Sequence, residues 1–260
     1  MIRTVLLTLL LTFNIVQAED SILPGEFSTE LSVEASYFPS TGQFNNTKQS
    51  EISFFLKPDY SYSWDDDRKV LAISPYLVYS NVDSKKTHID IREASFTAAH
   101  NLFEYKVGIS KVYWVVTESQ HLVDVINQTD AVVNIDGEHR LGQPMINGTF
   151  ISDYGNLDLF ILPYFRTRTY SGKKGRFHGS YIIDNDLATY QHEDEDKHID
   201  LAARYSHSIG NLDVGVSYFT GTDREPIISL STSGSSLSPH YIQANQYLLD
   251  FQYIHQAWIF

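Results

Sequence analysis

Charged side chains recur at every second position in several stretches of this sequence. Lys106, Arg166, Arg168 and Arg204 each alternate with apolar neighbours, and several carboxylates follow the same period. Side chains two residues apart point to the same face of a β-strand. A face with both signs of charge indicates either a hydrated interior or paired charges that fill it. These four cations are therefore candidate residues of such an interior.

A second group of candidates lies in the stretch 114–145, which contains Glu118, His121 and Asp124. If this stretch folds into an enclosed interior, its acids form a constriction that favours cations or polar neutral solutes. The alternative is an external loop packed on a rim. Capping residues and a shared apolar face also predict a short helix over 119–127.

The sharpest charge run is His192 to His198, where Glu193, Asp194, Glu195 and Asp196 follow one another. Carboxylates so close repel, and a divalent cation would relieve that repulsion. The spacing of an EF-hand is absent, and a solvated acidic loop is the simpler explanation. These four acids are weak metal candidates, and we predict neither a metal site nor a cofactor.

Nucleophilic catalysis finds no support in the sequence. His207 and Ser208 are adjacent, so on a strand their side chains point to opposite faces. The G-x-S-x-G motif of many hydrolases does not occur. The chain has no Cys, which excludes thiolate chemistry and disulfides. We predict that the protein is not an enzyme.

Charge and composition narrow the class of partner. Among 260 residues, 19 Lys and Arg oppose 32 Asp and Glu, for a net charge of −13. Such a surface repels phosphate backbones, so we expect no nucleic-acid partner. Aromatic residues make up 13% of the chain, with 17 Tyr and 15 Phe. That content suits a protein with aromatic girdles at two membrane interfaces.

The N-terminus has the features of a secretory signal peptide. Arg3 precedes an apolar run over 5–16, and Val16-Gln17-Ala18 resembles a cleavage site. The alternative is a membrane anchor, but the run is short for a hydrocarbon core of about 30 Å. We predict a signal peptide over 1–18 and one domain over 19–260.

Apolar and polar residues alternate with a period of two through most of the remaining chain, as in Phe27-Ser28-Thr29-Glu30-Leu31. This period indicates β-strands with one apolar face. It predicts ten strands, at 26–37, 51–64, 69–82, 87–99, 103–113, 146–153, 157–170, 198–208, 211–221 and 246–254.

Short and long connections alternate between these strands. Tight turns are predicted at 65–68, 100–102, 154–156 and 209–210, and the other connections are longer except for 83–86. An outer-membrane barrel has short periplasmic turns and long external loops, whereas a soluble sandwich has no such rule. We therefore predict an all-β, antiparallel, up-and-down transmembrane β-barrel of about ten strands, with a soluble sandwich as the alternative.

Several segments carry a resemblance to a known family. They read WVVTESQHLVDVINQTD, GEHRLGQPMINGTF and LDLFILPYFRTRTYSGKKGRF, of which LGQPM and LPYFR are the most distinctive. The chain resembles, over roughly residues 90–255, a family of Gram-negative outer-membrane proteins of porin-like type, most without an assigned function. The resemblance implies a barrel in the outer membrane and supplies no active site.

The C-terminus departs from that family, whose members continue well past the equivalent of Tyr253. Trp258 and Phe260 have the opposite parity to the apolar face of the last predicted strand. This parity predicts a turn near 255–257 and a new strand from Trp258, hence a barrel truncated at its C-terminus. The alternative is a complete barrel of ten strands.

The expected function is a porin-like channel for small hydrophilic solutes in the cell outer membrane. The alternative is a structural or surface-binding barrel without an open pore, with loops 171–197 and 222–245 as its working surface. Expected partners are outer-membrane lipid and lipopolysaccharide, the barrel-assembly machinery and small solutes.

Overall fold

The computed structural model describes residues 7–16, 24–40, 42–44, 47–114, 123–134, 136–255 and 258–259. It contains a 12-stranded antiparallel sheet and a separate 3-stranded sheet. In chain order the strands are β1 (Leu7–Val16), β2 (Glu26–Tyr37), β3 (Ser50–Trp64), β4 (Lys69–Ser80), β5 (His88–His100), β6 (Phe103–Ser110), β7 (Gln143–Ser152), β8 (Gly155–Leu162), β9 (Thr189–Tyr190), β10 (Asp200–Ile209), β11 (Leu212–Thr222), β12 (Ile227–Leu230), β13 (Leu237–Tyr241), β14 (Gln243–His255) and β15 (Trp258–Ile259).

The main sheet follows the chain, because each strand pairs with its predecessor once β9, β12 and β13 are set aside. Those three strands form the small sheet, in which β13 lies between β12 and β9. Two short 3₁₀ helices, Asn185–Leu187 and Glu195–Lys197, flank β9. Among the described residues no helix is long and apolar enough to span a bilayer.

All ten predicted strands form, so the all-β antiparallel prediction is confirmed. The predicted new strand at Trp258 also forms, since His255 pairs with Trp258. In addition, residues 7–16 of the predicted signal peptide pair with β2, from Leu7 opposite Tyr37 to Val16 opposite Ser28. Within the described residues β1 and β15 are the two edges of the main sheet, and no pairing joins them into a closed barrel.

The predicted rule for the connections is confirmed between β2 and β14. Turns 65–68, 101–102, 153–154 and 210–211 lie at one end of the sheet. The connections at the other end are longer, namely 38–49, 81–87, 111–142, 163–199 and 223–242. In the first turn Asp65, Asp66 and Asp67 all have positive φ, of 61°, 55° and 58°. Asp tolerates this left-handed conformation better than most residues, which is why an Asp run can turn the chain.

The main sheet buries its polar face and exposes its apolar face. On β2, Ser32 and Ser36 are 4% and 9% exposed, whereas Leu31 is 38% exposed. Soluble sheets usually do the reverse. The exposed apolar side chains on the other strands include Ile52, Phe54, Leu56, Ile89, Ile91, Val107, Ile146, Phe150, Leu157, Leu159, Ile161, Leu201, Val216, Leu249 and Phe251.

Three predicted strands end two or more residues early, and local hydrogen bonds explain two of these ends. Strands β7 and β14 each begin three residues before their predicted starts. Strand β4 ends at Ser80, not at 82, because the Ser80 hydroxyl accepts the amides of Val82 and Asp83 at 3.1 and 3.0 Å. Strand β6 ends at Ser110, not at 113, because the Val112 amide donates to the Asn127 side chain at 2.7 Å.

Strand β8 ends at Leu162 rather than at residue 170, because Pro163 has no amide to donate to a neighbouring strand. Arg166 and Arg168 therefore lie in the connection after β8 and not on a strand. Phe165 has the parity of the apolar outer face of β8, but it is 1% exposed, and its ring centroid lies 4.7 Å from that of Tyr241.

The connection 111–142 packs against the buried face of the sheet with its described parts, 111–114, 123–134 and 136–142. Trp114 and Ile126 from this connection form one apolar cluster with Met145, Phe160, Leu162, Ala202 and Phe219 of the strands. The short helix predicted over 119–127 is wrong for residues 123–127, which form a turn and bends, while 119–122 lie outside the described residues. The Asn127 side chain donates to Ser110 O and Leu141 O, so it holds this segment in a non-helical path.

Candidate functional site

Glu118, His121 and Asp124 are the predicted candidates in the stretch 114–145, and of these the structure describes Asp124. Its side chain is buried and accepts the Trp114 amide at 2.6 Å, so it fixes the entry of the connection 111–142. Glu118 and His121 lie outside the described residues. Lys106 lies on β6, half-buried, and pairs in register with Asn147 of β7 on the polar face.

Arg204 also lies on the polar face, but a carboxylate neutralises it. It donates to both oxygens of Asp250 on β14, at 2.7 and 2.8 Å, across Gly215 of the strand between them. A Cβ at Gly215 would stand 2.2 Å from the Arg204 guanidinium, so a larger residue there would obstruct this pair. The guanidinium also lies 5.6 Å from the Trp114 ring centroid.

The other two predicted cations attach the connection 163–199 to its surroundings. Arg166 donates to Asp90 on β5 and to Gly142 O, both at 2.7 Å. Arg168 pairs with Glu225, which lies in the connection after β11. The mixed charges predicted for the interior are therefore largely paired.

A buried pair that the sequence did not single out anchors the connection 111–142 near β10 and β11. Arg224 donates to Asp200 at 2.7 Å and to Ile126 O at 2.9 Å. In the opposite direction, the Gln128 side-chain amide donates a hydrogen bond to Arg224 O at 3.0 Å. Burial lowers the pKa of Arg224, and the adjacent Asp200 carboxylate opposes that effect.

A second buried anchor fixes the same connection to β5. Asp130 has no exposed surface and contacts Arg92, while Thr169 donates to it at 2.6 Å. His88 Nε2 lies 3.5 Å from the same carboxylate. Burial alone would raise the pKa of Asp130, but the His88 bond, the Arg92 charge and the Thr169 bond together lower it to about 2.

The acidic run 193–196 lies at the end of the sheet that bears the long connections. Glu195 to Lys197 form a 3₁₀ turn. The ring centroids of His192 and His198 lie 4.4 Å apart. No group of three or more His, Cys, Asp or Glu within the described part of the chain could hold a metal ion.

Two cavities lie along the polar face of β2 to β5, between these strands and the connection 111–142. The loop-side cavity has a volume of about 430 Å³ and the turn-side cavity about 300 Å³. Both are lined by Lys57, Tyr76 and His139, so these three side chains stand where the cavities meet. Burial lowers the pKa of His139, although Asp136 and Asp130 act to raise it.

A repeated Glu-x-Ser pattern lines these cavities. In each repeat the Ser hydroxyl donates to the Glu two residues earlier, at 2.8 to 3.1 Å. The four pairs are Glu30 with Ser32, Glu34 with Ser36, Glu51 with Ser53 and Glu93 with Ser95. The spacing of this pattern matches the strand period, so the sequence alone is sufficient to reveal it.

Basic partners neutralise two of these carboxylates in the loop-side cavity. Lys57 lies 3.2 Å from Glu30, with both side chains about a third exposed. Lys86 lies 3.2 Å from Glu51, with side-chain exposures of 10% and 14%. Aromatic rings complete the lining, with Phe55 and Tyr76 on the strands and Phe38 and Phe177 on the connections.

No family model matches the chain, and no curated protein or solved structure matches it either. The class that the fold itself defines is an antiparallel all-β protein with a buried polar face, an exposed apolar face and long connections at one end.

Proposed function

We propose that the protein is an outer-membrane β-barrel that acts as a porin-like channel for small hydrophilic solutes. The observation that carries the proposal is the pair of cavities along β2 to β5, which meet at Lys57, Tyr76 and His139 on the buried polar face. Charged and hydroxyl side chains line this path, as in known hydrophilic pores.

The exposed face supports a membrane location. Leu31, Leu56 and Ile161 are each between 37% and 44% exposed, and they belong to a sheet-wide apolar surface. Water would disfavour so large a surface, whereas lipid would cover it. A row of aromatic contacts crosses β3 to β7 toward the short turns, through Tyr62, Trp64, Phe96, Tyr105, Phe103 and Phe150. Such a row suits an interfacial girdle.

A location in the outer membrane also implies a route of delivery and an orientation for the protein. Delivery would use the signal peptide at 1–18, whose cleavage would remove β1 and leave β2 as the first strand of the sheet. The barrel-assembly machinery would then insert and close the sheet. The long connections would face outward toward lipopolysaccharide, and the short turns would face the periplasm.

Two arginine substitutions test the membrane location. Leu56→Arg lies in the middle of β3, whereas Ile209→Arg lies at the end of β10 beside a turn. In a bilayer the first should cost about 2–4 kcal/mol and the second about 0–1 kcal/mol, because the penalty depends on depth. Equal, small costs in urea unfolding from liposomes would contradict the membrane location.

Planar-bilayer recordings test the channel. The full chain, folded in detergent and inserted into the bilayer, should give discrete conductance steps. Lys57→Glu should change the ion selectivity of those steps, whereas Lys173→Glu on the exposed connection should leave it unchanged. A folded, heat-modifiable protein without conductance would contradict the channel.

One observation favours a structural or binding barrel as the second candidate. The polar face beside β7 to β11 is filled by the apolar cluster around Trp114 and Ile126. If the whole barrel is sealed in the same way, the protein inserts without conducting, and the external connections become its working surface.

A further inference from the structure

We propose that the loop-side cavity binds a small, uncharged, polyhydroxylated solute of the size of a monosaccharide. This inference rests on the proposed channel and names the class of solute that it passes. It draws on three features of the cavity: compensated charge, hydrogen-bonding groups of both kinds, and aromatic surfaces.

Most charges of the cavity compensate one another within the protein, since Glu30, Glu34, Glu51 and Asp83 oppose Lys57, Lys86 and Arg176 in its lining. Lys57 pairs with Glu30, and Lys86 pairs with Glu51. An incoming cation would compete with a lysine for its carboxylate, and an incoming anion would compete with the carboxylate for its lysine. Breaking such a pair leaves one charge without its partner, which is costly where the pair is buried, as Lys86 and Glu51 are. The lining therefore disfavours a solute with net charge.

A hydroxyl group meets this lining without breaking a pair. It donates one hydrogen bond and accepts two, so it can donate to a carboxylate and accept from an ammonium group in turn. The carboxylates of Glu30, Glu34 and Glu51 and the ammonium groups of Lys57 and Lys86 supply both kinds of partner around one space. A solute with several hydroxyl groups satisfies more of them than one with a single polar end.

Aromatic rings supply the surface for the less polar faces of such a solute. Phe177 is 52% exposed and contacts Phe38 edge-on, with ring centroids 6.1 Å apart. Deeper in the cavity, Phe55 and Tyr76 lie with ring centroids 6.4 Å apart. Ligand sites combine apolar and aromatic walls with a few placed polar groups, in volumes of about 300–1,000 Å³. The cavity, at about 430 Å³, has this composition and size.

Liposome swelling compares solutes of similar size and different charge. The probes are arabinose, gluconate and the lysine cation, each added to liposomes that contain the full chain. We expect arabinose to enter several-fold faster than either charged probe. Equal or faster entry of gluconate or lysine would overturn the inference while leaving the channel intact.

Charge variants test the compensation directly. Glu30→Gln leaves Lys57 without its carboxylate, so gluconate entry should rise several-fold relative to arabinose. The double variant Glu30→Gln with Lys57→Gln removes both charges and should restore the preference for arabinose. Lys173→Gln, on an exposed residue of the connection after β8, is the matched control and should change neither rate. If the single variant leaves the preference unaltered, the lining does not select by charge and the inference fails.

Binding is measured separately from transport. Equilibrium dialysis of radiolabelled arabinose against the detergent-folded protein should detect saturable binding, and Phe177→Ala should weaken it about three- to tenfold. Binding without swelling would support the site and contradict the channel. Swelling with neither binding nor solute preference would support the channel and contradict the site.

Discussion

The polar face of the main sheet has two regions that differ in what covers them. Beside β2 to β5, here called the open half, two cavities remain, and they meet at Lys57, Tyr76 and His139. Beside β7 to β11, here called the filled half, Trp114 and Ile126 pack into an apolar cluster with the strands.

The difference comes from the size and polarity of the side chains that face inward. In the open half they are often serines, as at Ser32, Ser53 and Ser95, which leave space. In the filled half Phe160 and Leu162 occupy the corresponding alternating positions of β8, at 5% and 0% exposure. One strand period thus leaves two cavities beside a small cluster of Phe55, Tyr76 and Val78 in the open half, and it forms the larger apolar core in the filled half.

The largest expected effect is the loss of the Arg224 anchor in the filled half. Arg224→Met takes the guanidinium away from the buried Asp200, which keeps only the Thr222 amide and the His198 ring as partners. This should lower the free energy of unfolding by about 3–5 kcal/mol. The matched variant in the open half, Lys57→Met, removes a partly exposed pair and should cost only about 0–1 kcal/mol. Urea unfolding of the folded protein measures both. Similar costs would remove the distinction between the two halves.

A smaller effect is expected from truncating one apolar side chain on each face of β8. Leu162→Ala opens a space in the filled half and should cost about 2–5 kcal/mol. Ile161→Ala, next in sequence and 44% exposed, should cost less than about 1 kcal/mol. The same unfolding measurement compares them, and a larger cost for Ile161 would reverse the assignment of the two faces.

The Asp130 anchor should give the stability a defined dependence on pH. Its pKa is about 2 in the folded protein, below the usual value. Its contribution of about 2 kcal/mol is therefore present above the unfolded pKa of about 3.9 and is lost as the pH falls through 2. The difference in unfolding free energy between the native chain and Asp130→Asn should shrink between pH 4 and pH 2. A constant difference would exclude this linkage.

The smallest effect concerns selectivity in the open half. Because burial lowers the pKa of His139, its ring should stay neutral at neutral pH and become protonated only in more acidic solution. The added positive charge beside Lys57 and Arg92 should then shift the reversal potential toward anions. His139→Gln should abolish the shift, whereas His207→Gln, which lies on the opposite face of β10 from Arg204, should retain it.

The strands were predictable because their signal is local. Each alternation lies within about ten residues, and turn residues such as the Asp65 to Asp67 run mark where the chain reverses. The strand ends were less predictable, since Pro163 and the Ser80 hydroxyl act through single bonds that the alternation does not record. The four-fold Glu-x-Ser pattern was also local and could have been found.

For the candidate site, the sequence predicted the type of side chain on the inner face but not which residues form the site. Charged residues were expected on the inner face, but Arg166 attaches its connection to β5 and Arg168 attaches it to the connection after β11. Arg204 is held by Asp250. The meeting point of the two cavities was not predicted. Lys57 follows the period of the polar face, but Tyr76 and His139 come from another strand and a connection and share no motif with it.

By itself the sequence determined the ten predicted strands of the main sheet, the alternating lengths of their connections and the chemical character of the two faces, since these depend on side-chain spacing along the backbone. It did not predict β1 or the three strands of the small sheet. Only the tertiary structure decided which part of the polar face is filled. That outcome depends on partners distant in the chain, such as Arg224 and Ile126, which are 98 residues apart and bonded at 2.9 Å. No local pattern encodes such a pair, because it forms only when the connection 111–142 packs against the sheet.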